Sequence, residues 1–433
     1  MNTPYQLIRD MPYRYNADIG LAYSSPCRGV WNIVHYGTLV PQGHQIFVCP
    51  TSCLRGVVLT TAEMGREAMK KLSTITVGED NILNGDMEEQ LLHGTEKIIN
   101  TLHERPRMVM IFTSCIHHFM AVNYQRVYRI LRKEYPDIDF IDCYMDPIMR
   151  RTAPPDPSLR RQVLRVLKPA EHDSHRVSFV GNCYPMTEYC DLYVHLKRNG
   201  IEVSDLTTMK KYDEFKLMEQ SCLNFTFNNA AAMAGRDLSI RLKQPEMKMR
   251  PTYFYDDIDA DMQNASETLQ IPDVSDEEKA RLRKETEEAA LRLREKLNGV
   301  PVSVDYTAVV RPLEFAVYLL EHGFNVESVL IDVITESEEV FRKLVEIKPD
   351  LKVYSSLGWN MRTADRTHEG KILAVGQKSA YFNNTNYFVN VVENAGMYGY
   401  RGILHLLGLM EEAFDSEKNM PVLIQEKGWG CRV

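Results

Sequence analysis

The stretch HQIFVCPTSCLRG, residues 44–56, joins a short apolar run to a helix-like one through Cys49, Pro50 and Cys53. Residues 44–48 have the length and composition of a buried strand, and an amphipathic pattern runs from 54 to 65. The step recurs. RMVMIF (107–112) leads to VNYQRVYRILRKEY (122–135), and IDFID (138–142) supplies a further strand. Short apolar strands alternating with amphipathic helices predict βαβ units in a parallel sheet.

A second unit starts at VSFVGN (177–182), passes through a helix over about 187–198 and reaches IEVSDL. A third runs from VPVSV (300–304) through a helix ending at Gly323 to NVESVLID (325–332). The two can be laid over each other: LYVHLKRNGIEV (192–203) matches FAVYLLEHGFNV (315–326) at Leu196/Leu319, Gly200/Gly323 and Val203/Val326. In both, the glycine follows the helix, where a left-handed cap is favoured. The expected fold is α/β, with three Rossmann-like domains of parallel sheets flanked by helices. Their boundaries are expected at 1–165, 166–298 and 299–433. The second domain ends in a charged connecting helix over 274–299, in which Ser275 and Glu278 form a capping box and Leu282, Ala289, Leu293 and Leu297 a narrow apolar stripe.

A chain of 433 residues, 44% hydrophobic and 25% charged, has an ordinary globular composition. Its 51 basic and 59 acidic residues give a net charge of −8, with no basic stripe, which argues against a nucleic-acid partner. No apolar run approaches the roughly 18 residues that span a bilayer. MNTPYQLIRDMPYRYN lacks the apolar core of a signal peptide, so a cytoplasmic location is expected. Nine cysteines at irregular spacing do not form a disulfide framework in a reducing compartment. The N-x-Ser/Thr matches at Asn224, Asn264 and Asn383 are then fortuitous.

Three cysteines sit where strands end or helices begin. Cys27 lies in YSSPCRG before a helix-like run, Cys53 opens the helix after HQIFV, and Cys115, in FTSCIHH, follows RMVMIF. Ligands of open α/β sheets gather at the carboxyl ends of strands, and helix N-termini favour thiolate, so the three could converge on one metal site. The alternative is that each is a small buried hydrophobe.

Cys27 and Cys53 are 26 residues apart, and Cys53 and Cys115 are 62. With the Pro26-Cys27 start, the strand-Cys-helix step, STITVGEDNILNGDMEEQL (73–91) and the Gly-aromatic-x-Gly helix of GYRGILHLLGLMEEAF (399–414), this resembles the nitrogenase component 1 family over nearly the whole chain. That family includes the nitrogenase catalytic subunits, cofactor-assembly scaffolds, and reductases of chlorophyll and coenzyme F430 biosynthesis. The resemblance implies that Cys27, Cys53 and Cys115 bind an iron-sulphur cluster, 4Fe-4S or an 8Fe P-cluster type, at the interface with a related component 1 subunit. It also implies an ATP-dependent iron protein, with its own 4Fe-4S cluster, as electron donor. That protein would dock near residues 28–34 and 54–60. Arg28 and Arg55, beside two ligands, would tune the cluster or bridge to the partner, and Cys49 would lie behind the ligands without binding metal. The implied activity is that of a low-potential reductase subunit; a non-catalytic scaffold for metallocluster assembly is the alternative.

The chain departs from the catalytic nitrogenase pattern. The family's cofactor cysteine and histidine fall near Phe227 and Val389, neither of which binds metal, although Cys222 nearby leaves a further metallocofactor open. No G-x-x-x-x-G-K-[ST] motif occurs, so ATP hydrolysis belongs to another protein. His117 and His118 are candidate proton donors at the cysteine site. C-x-H-H has no second ligand pair for zinc. YDDIDADM (255–262) has Met262 where a calcium loop needs glycine and reads as a solvated acidic loop. Cys143 and Cys183 follow strands without a partnering base, and Cys190 reads as core. The tail EKGWGCRV sets Trp429 between two glycines as a candidate clasp on another subunit.

Overall fold

The computed structural model describes residues 4–15, 23, 25, 27, 33–145 and 154–424. Strand β1 (Tyr5–Leu7) joins the last of three sheets. The first contains β2 (Gly43–Cys49), β3 (Leu72–Thr76), β4 (Met108–Ser114) and β5 (Asp139–Met145) in the order β3-β2-β4-β5. The second contains β6 (Asp173–Val180), β7 (Glu202–Asp205), β8 (Ser221–Thr226) and β9 (Glu246–Lys248) in the order β7-β6-β8-β9. The third contains β10 (Val302–Asp305), β11 (Val326–Leu330), β12 (Lys352–Tyr354), β13 (Leu373–Val375) and β14 (Phe388–Val389), in the order β1-β12-β11-β10-β13-β14. Every neighbouring pair is parallel except β1 with β12. The fold is α/β with parallel sheets flanked by helices, as the strand-helix alternation predicts.

The chain divides into two compact units, one of Met1–Val30, Met186–Asn199 and Arg250–Val433, the other of Trp31–Pro185 and Gly200–Met249. The first two sheets lie in the second unit and the six-stranded sheet in the first. The expected divisions at 165 and 298 thus fall inside units, and the chain passes between units at Gly200, in the repeated helix-Gly-strand step. Gly200 and Gly323 have φ of +71° and +77°, the left-handed conformation that ends each helix before its strand.

The first sheet explains why HQIFV and RMVMIF read as continuous apolar runs. All residues of β2 and β4 are buried, because helices cover both faces of a parallel sheet. Ile46, Val48, Val109 and Ile111 face the helices Met87–Thr101 and Tyr124–Glu134, whereas Phe47, Met110 and Phe112 share a core with Leu159, Phe215 and Leu238. Phe47 and Phe112 stack with centroids 4.3 Å apart.

Two local expectations are corrected. YDDIDADM begins the helix Tyr255–Leu269 and is no loop; Asp261 faces inward and pairs with Arg250 at 2.9 Å. The connecting helix, Asp276–Leu297, is capped by Ser275 as expected, but Ala290 takes the buried place expected for Ala289 and Thr286 joins the stripe, which packs against the helix Gly399–Asp415. Among the described residues no helix is long and apolar enough to cross a membrane.

Candidate metal centre

β2 and β4 run side by side in register from Gly43↔Met108 to Val48↔Thr113. Their carboxyl ends therefore emerge together. Cys49 is the last residue of β2; Pro50 then turns the chain into the helix Thr51–Glu63, whose first turn carries an exposed Cys53. Cys115 is the first residue of the short helix Cys115–Phe119 after β4 and is half-buried. Burial pushes the Cys49 thiol up to about 12, with smaller contributions in the same direction from Cys53 and Cys115. Cys53 and Cys115, the predicted ligands within this unit, are thus brought to one edge of one sheet, and Cys49 is in electrostatic reach of both.

Cys27 belongs to the other unit. Its side chain is 3% exposed, packs with Ala374, Ala380, Phe388, Met420 and Ile424, and its thiol donates to the Gln377 carbonyl at 3.6 Å. Burial pushes it up to about 12, against an opposing pull from Lys378. Arg28 lies outside the described residues, as do Pro26, Trp429 and the rest of the C-terminal tail. Arg55 is exposed in the cysteine-bearing helix.

His117 is 1% exposed, with Nδ1 3.4 Å from Ser114 Oγ. Its Nε2 is buried without a hydrogen-bond partner among the described residues, and burial lowers its pKa to about 4. His118 is exposed and packs edge-on against Phe119. The helices that carry the cysteines also expose apolar side chains: Leu59 is 55% and Phe119 70% accessible.

No three His, Cys, Asp or Glu residues among those described come together tightly enough for a single metal ion. Thiols at neighbouring strand ends are soft donors of the kind that iron-sulphur groups take. The remaining described cysteines are held by burial or by local hydrogen bonds. Cys143 is buried within β5, Cys190 caps the helix Asp191–Arg198 by accepting from Tyr193 N, and Cys222 donates to the Ser174 carbonyl. Cys183 is buried. Phe227 packs against Phe179, and Val389 is buried in β14.

Several buried charged groups have no sequence motif. Arg160, fully buried, pairs with Asp156 at 3.0 Å and donates to the Gly181 carbonyl, with its guanidinium over the Tyr36 ring. Lys378 donates to Ser25 and Ser356. Asp305 accepts from the Ser379 and Thr307 amides beside it, at the carboxyl ends of β13 and β10. A lysine just beyond the apolar run LAV, after Gly376 and Gln377, was the available signal for Lys378; Arg160 sits in a polar-looking helix and gave none.

A family model described as Nitrogenase component 1 type Oxidoreductase matches residues 38–414, which include Cys49, Cys53 and Cys115 and leave Cys27 outside. The solved structure "Nitrogenase Cp1 at pH 6.5" is similar in fold, with a TM-score of 0.65 at 12% identity, covering 97% of this chain and 96% of its own. "Nitrogenase Cp1 at pH 5" aligns with a TM-score of 0.64 at 12% identity, covering 95% and 94%. No curated protein matches the sequence.

Proposed function

Because the chain belongs to the nitrogenase component 1 type oxidoreductase family, we propose that it is the iron-sulphur subunit of a nitrogenase-like, ATP-dependent low-potential reductase that receives electrons from a separate iron protein. The observation that carries this is the pair Cys53 and Cys115 on the adjacent ends of β2 and β4, inside the matched stretch. A bound iron-sulphur cluster would supply one-electron transfer at low potential. The chain's own residues would hold it: Cys53 and Cys115 as thiolates, Pro50 and the two strand ends as the rigid base that keeps them in place. His117, buried with Nδ1 near Ser114 Oγ, would help to exclude water beside this strand end. Leu59 and Phe119, exposed on the same two helices, are the apolar surface that a related subunit or the iron protein would cover. With no G-x-x-x-x-G-K-[ST] motif in the sequence, ATP hydrolysis in this reading would fall to the iron protein.

The test is anaerobic turnover with the cognate iron protein, ATP and candidate unsaturated substrates. ATP-dependent product formation that disappears in Cys53→Ala is the expected result. Transfer of a cluster to an apo-enzyme without turnover would instead make the chain an assembly scaffold, and a colourless, iron-free protein would remove both roles.

A further inference from the structure

We propose that Tyr387, Phe414 and the carboxyl end of the helix Gly399–Asp415 form a cage for an alkylammonium ion, that Lys371 is its built-in occupant, and that a free alkylammonium ion takes its place when the lysine is shortened. The Lys371 ammonium lies 3.6 Å from the centroid of the Tyr387 ring and 3.8 Å from that of Phe414, and it donates to the Phe414 carbonyl. Lys343, Lys352 and Lys378 come only within 5.2, 5.8 and 5.6 Å of the rings they face.

Two separate effects favour a cation here. The faces of aromatic rings are negative, and their pull on an ammonium grows as the rings take the place of its water. Phe414 is also the next-to-last residue of its helix, where carbonyls lack a partner inside the helix and the helix dipole is negative. An ion pair is not what holds the lysine. Acids are close in the chain, but Glu411 and Asp415 pair with Lys296, and Glu417 accepts from the Tyr387 hydroxyl at 2.6 Å. Lys371 forms no ion pair among the described residues.

Two strands and a helix hold the parts in place. Lys371 comes two residues before β13, and Tyr387 directly before β14, where its carbonyl accepts from the Ala374 amide at 2.9 Å. A cage built on such elements keeps its shape when the occupant changes. In the native chain the contact fastens the end of the connection from β12 to β13, which carries the exposed Trp359, to the last turn of the helix.

The full chain as wild type, Lys371→Ala and the double variant Lys371→Ala/Phe414→Leu is unfolded in urea, with propylammonium chloride or with sodium chloride at equal ionic strength. Propylammonium contains the carbons and the ammonium that Lys371→Ala removes. At about ten times its dissociation constant it is expected to raise the folded-to-unfolded ratio of Lys371→Ala roughly tenfold over the sodium chloride control, and to leave the other two at their control values. No rise over sodium chloride in Lys371→Ala, or an equal rise in the double variant, overturns the proposal. If Lys371→Ala does not fold, the wild-type chain decides. Reductive methylation with isotopically labelled formaldehyde keeps the charge of each lysine and gives it an NMR signal. The Lys371 signal, identified by its absence in Lys371→Arg, is expected upfield of the other lysines because two ring faces shield it; a signal among those of exposed lysines overturns the proposal.

Discussion

Asp191 shows how a single burial event creates a pH dependence. Its carboxylate is 3.1 Å from Arg401 and accepts from the Arg401 amide at the start of the helix Gly399–Asp415, yet burial dominates, helped by Glu278, and pushes its pKa up to about 6. The folded state therefore holds this proton more tightly than the unfolded chain, whose aspartates titrate near 4. The contribution is fully present below about pH 4 and is lost as pH rises through about 6, a change of about 3 kcal/mol. Denaturant midpoints measured over that window should fall for wild type relative to Asp191→Asn; parallel curves would show that Arg401 offsets the burial. Arg160 is the converse case. Its charge pairs with Asp156, so Asp156→Ala removes a buried ion pair from the core and should cost about 3–5 kcal/mol in chemical denaturation. Neither residue announces itself in the sequence, because an isolated Asp or Arg reads as surface until its neighbours are known.

At the scale of elements, the helix Asp276–Leu297 was largely legible. Ser275 accepts from the Glu278 amide, Asp276, Glu277 and Glu278 fill the first turn, and Arg294 and Lys296 the last, all complementing the helix dipole. Its apolar stripe was only partly legible, since Thr286 is buried through a hydroxyl bond to the Leu282 carbonyl that satisfies its polar atom. Ser275→Ala should lower stability by about 1 kcal/mol and Leu293→Ala by about 2–5 kcal/mol, measured on thermal or urea unfolding; the ordering tests whether packing on Gly399–Asp415 outweighs the cap. The helix Tyr255–Leu269 was misread as a loop because its aspartates are poor helix formers. Tertiary contacts override that propensity: Ile258 and Met262 are buried on one face and Asp261 binds Arg250.

For the whole molecule, both units are discontinuous in sequence. A fragment of residues 250–433 would lack β1, which pairs with β12, and the helix Asp191–Arg198, which packs on Gly399–Asp415. Expressed alone it should aggregate or bind a hydrophobic dye, with weak near-UV circular dichroism, whereas the full chain should not. Iron removal is expected to do less. The sheets close their cores with Phe47, Phe112, Ile111 and their neighbours and not with metal, so chelation should leave far-UV circular dichroism unchanged while abolishing colour. The sequence by itself determined the α/β class, the parallel sheets and the placing of Cys53 and Cys115 at strand ends, because the period of apolar residues and the residues at a turn are local properties of the chain. Only the tertiary structure decided that Cys49 ends its strand level with Ser114, that Cys27 bonds to Gln377, and that Asp156, Asp191 and Lys378 are buried. Strand register and burial arise from packing between segments tens to hundreds of residues apart, and a single sequence does not encode those pairings in any local pattern.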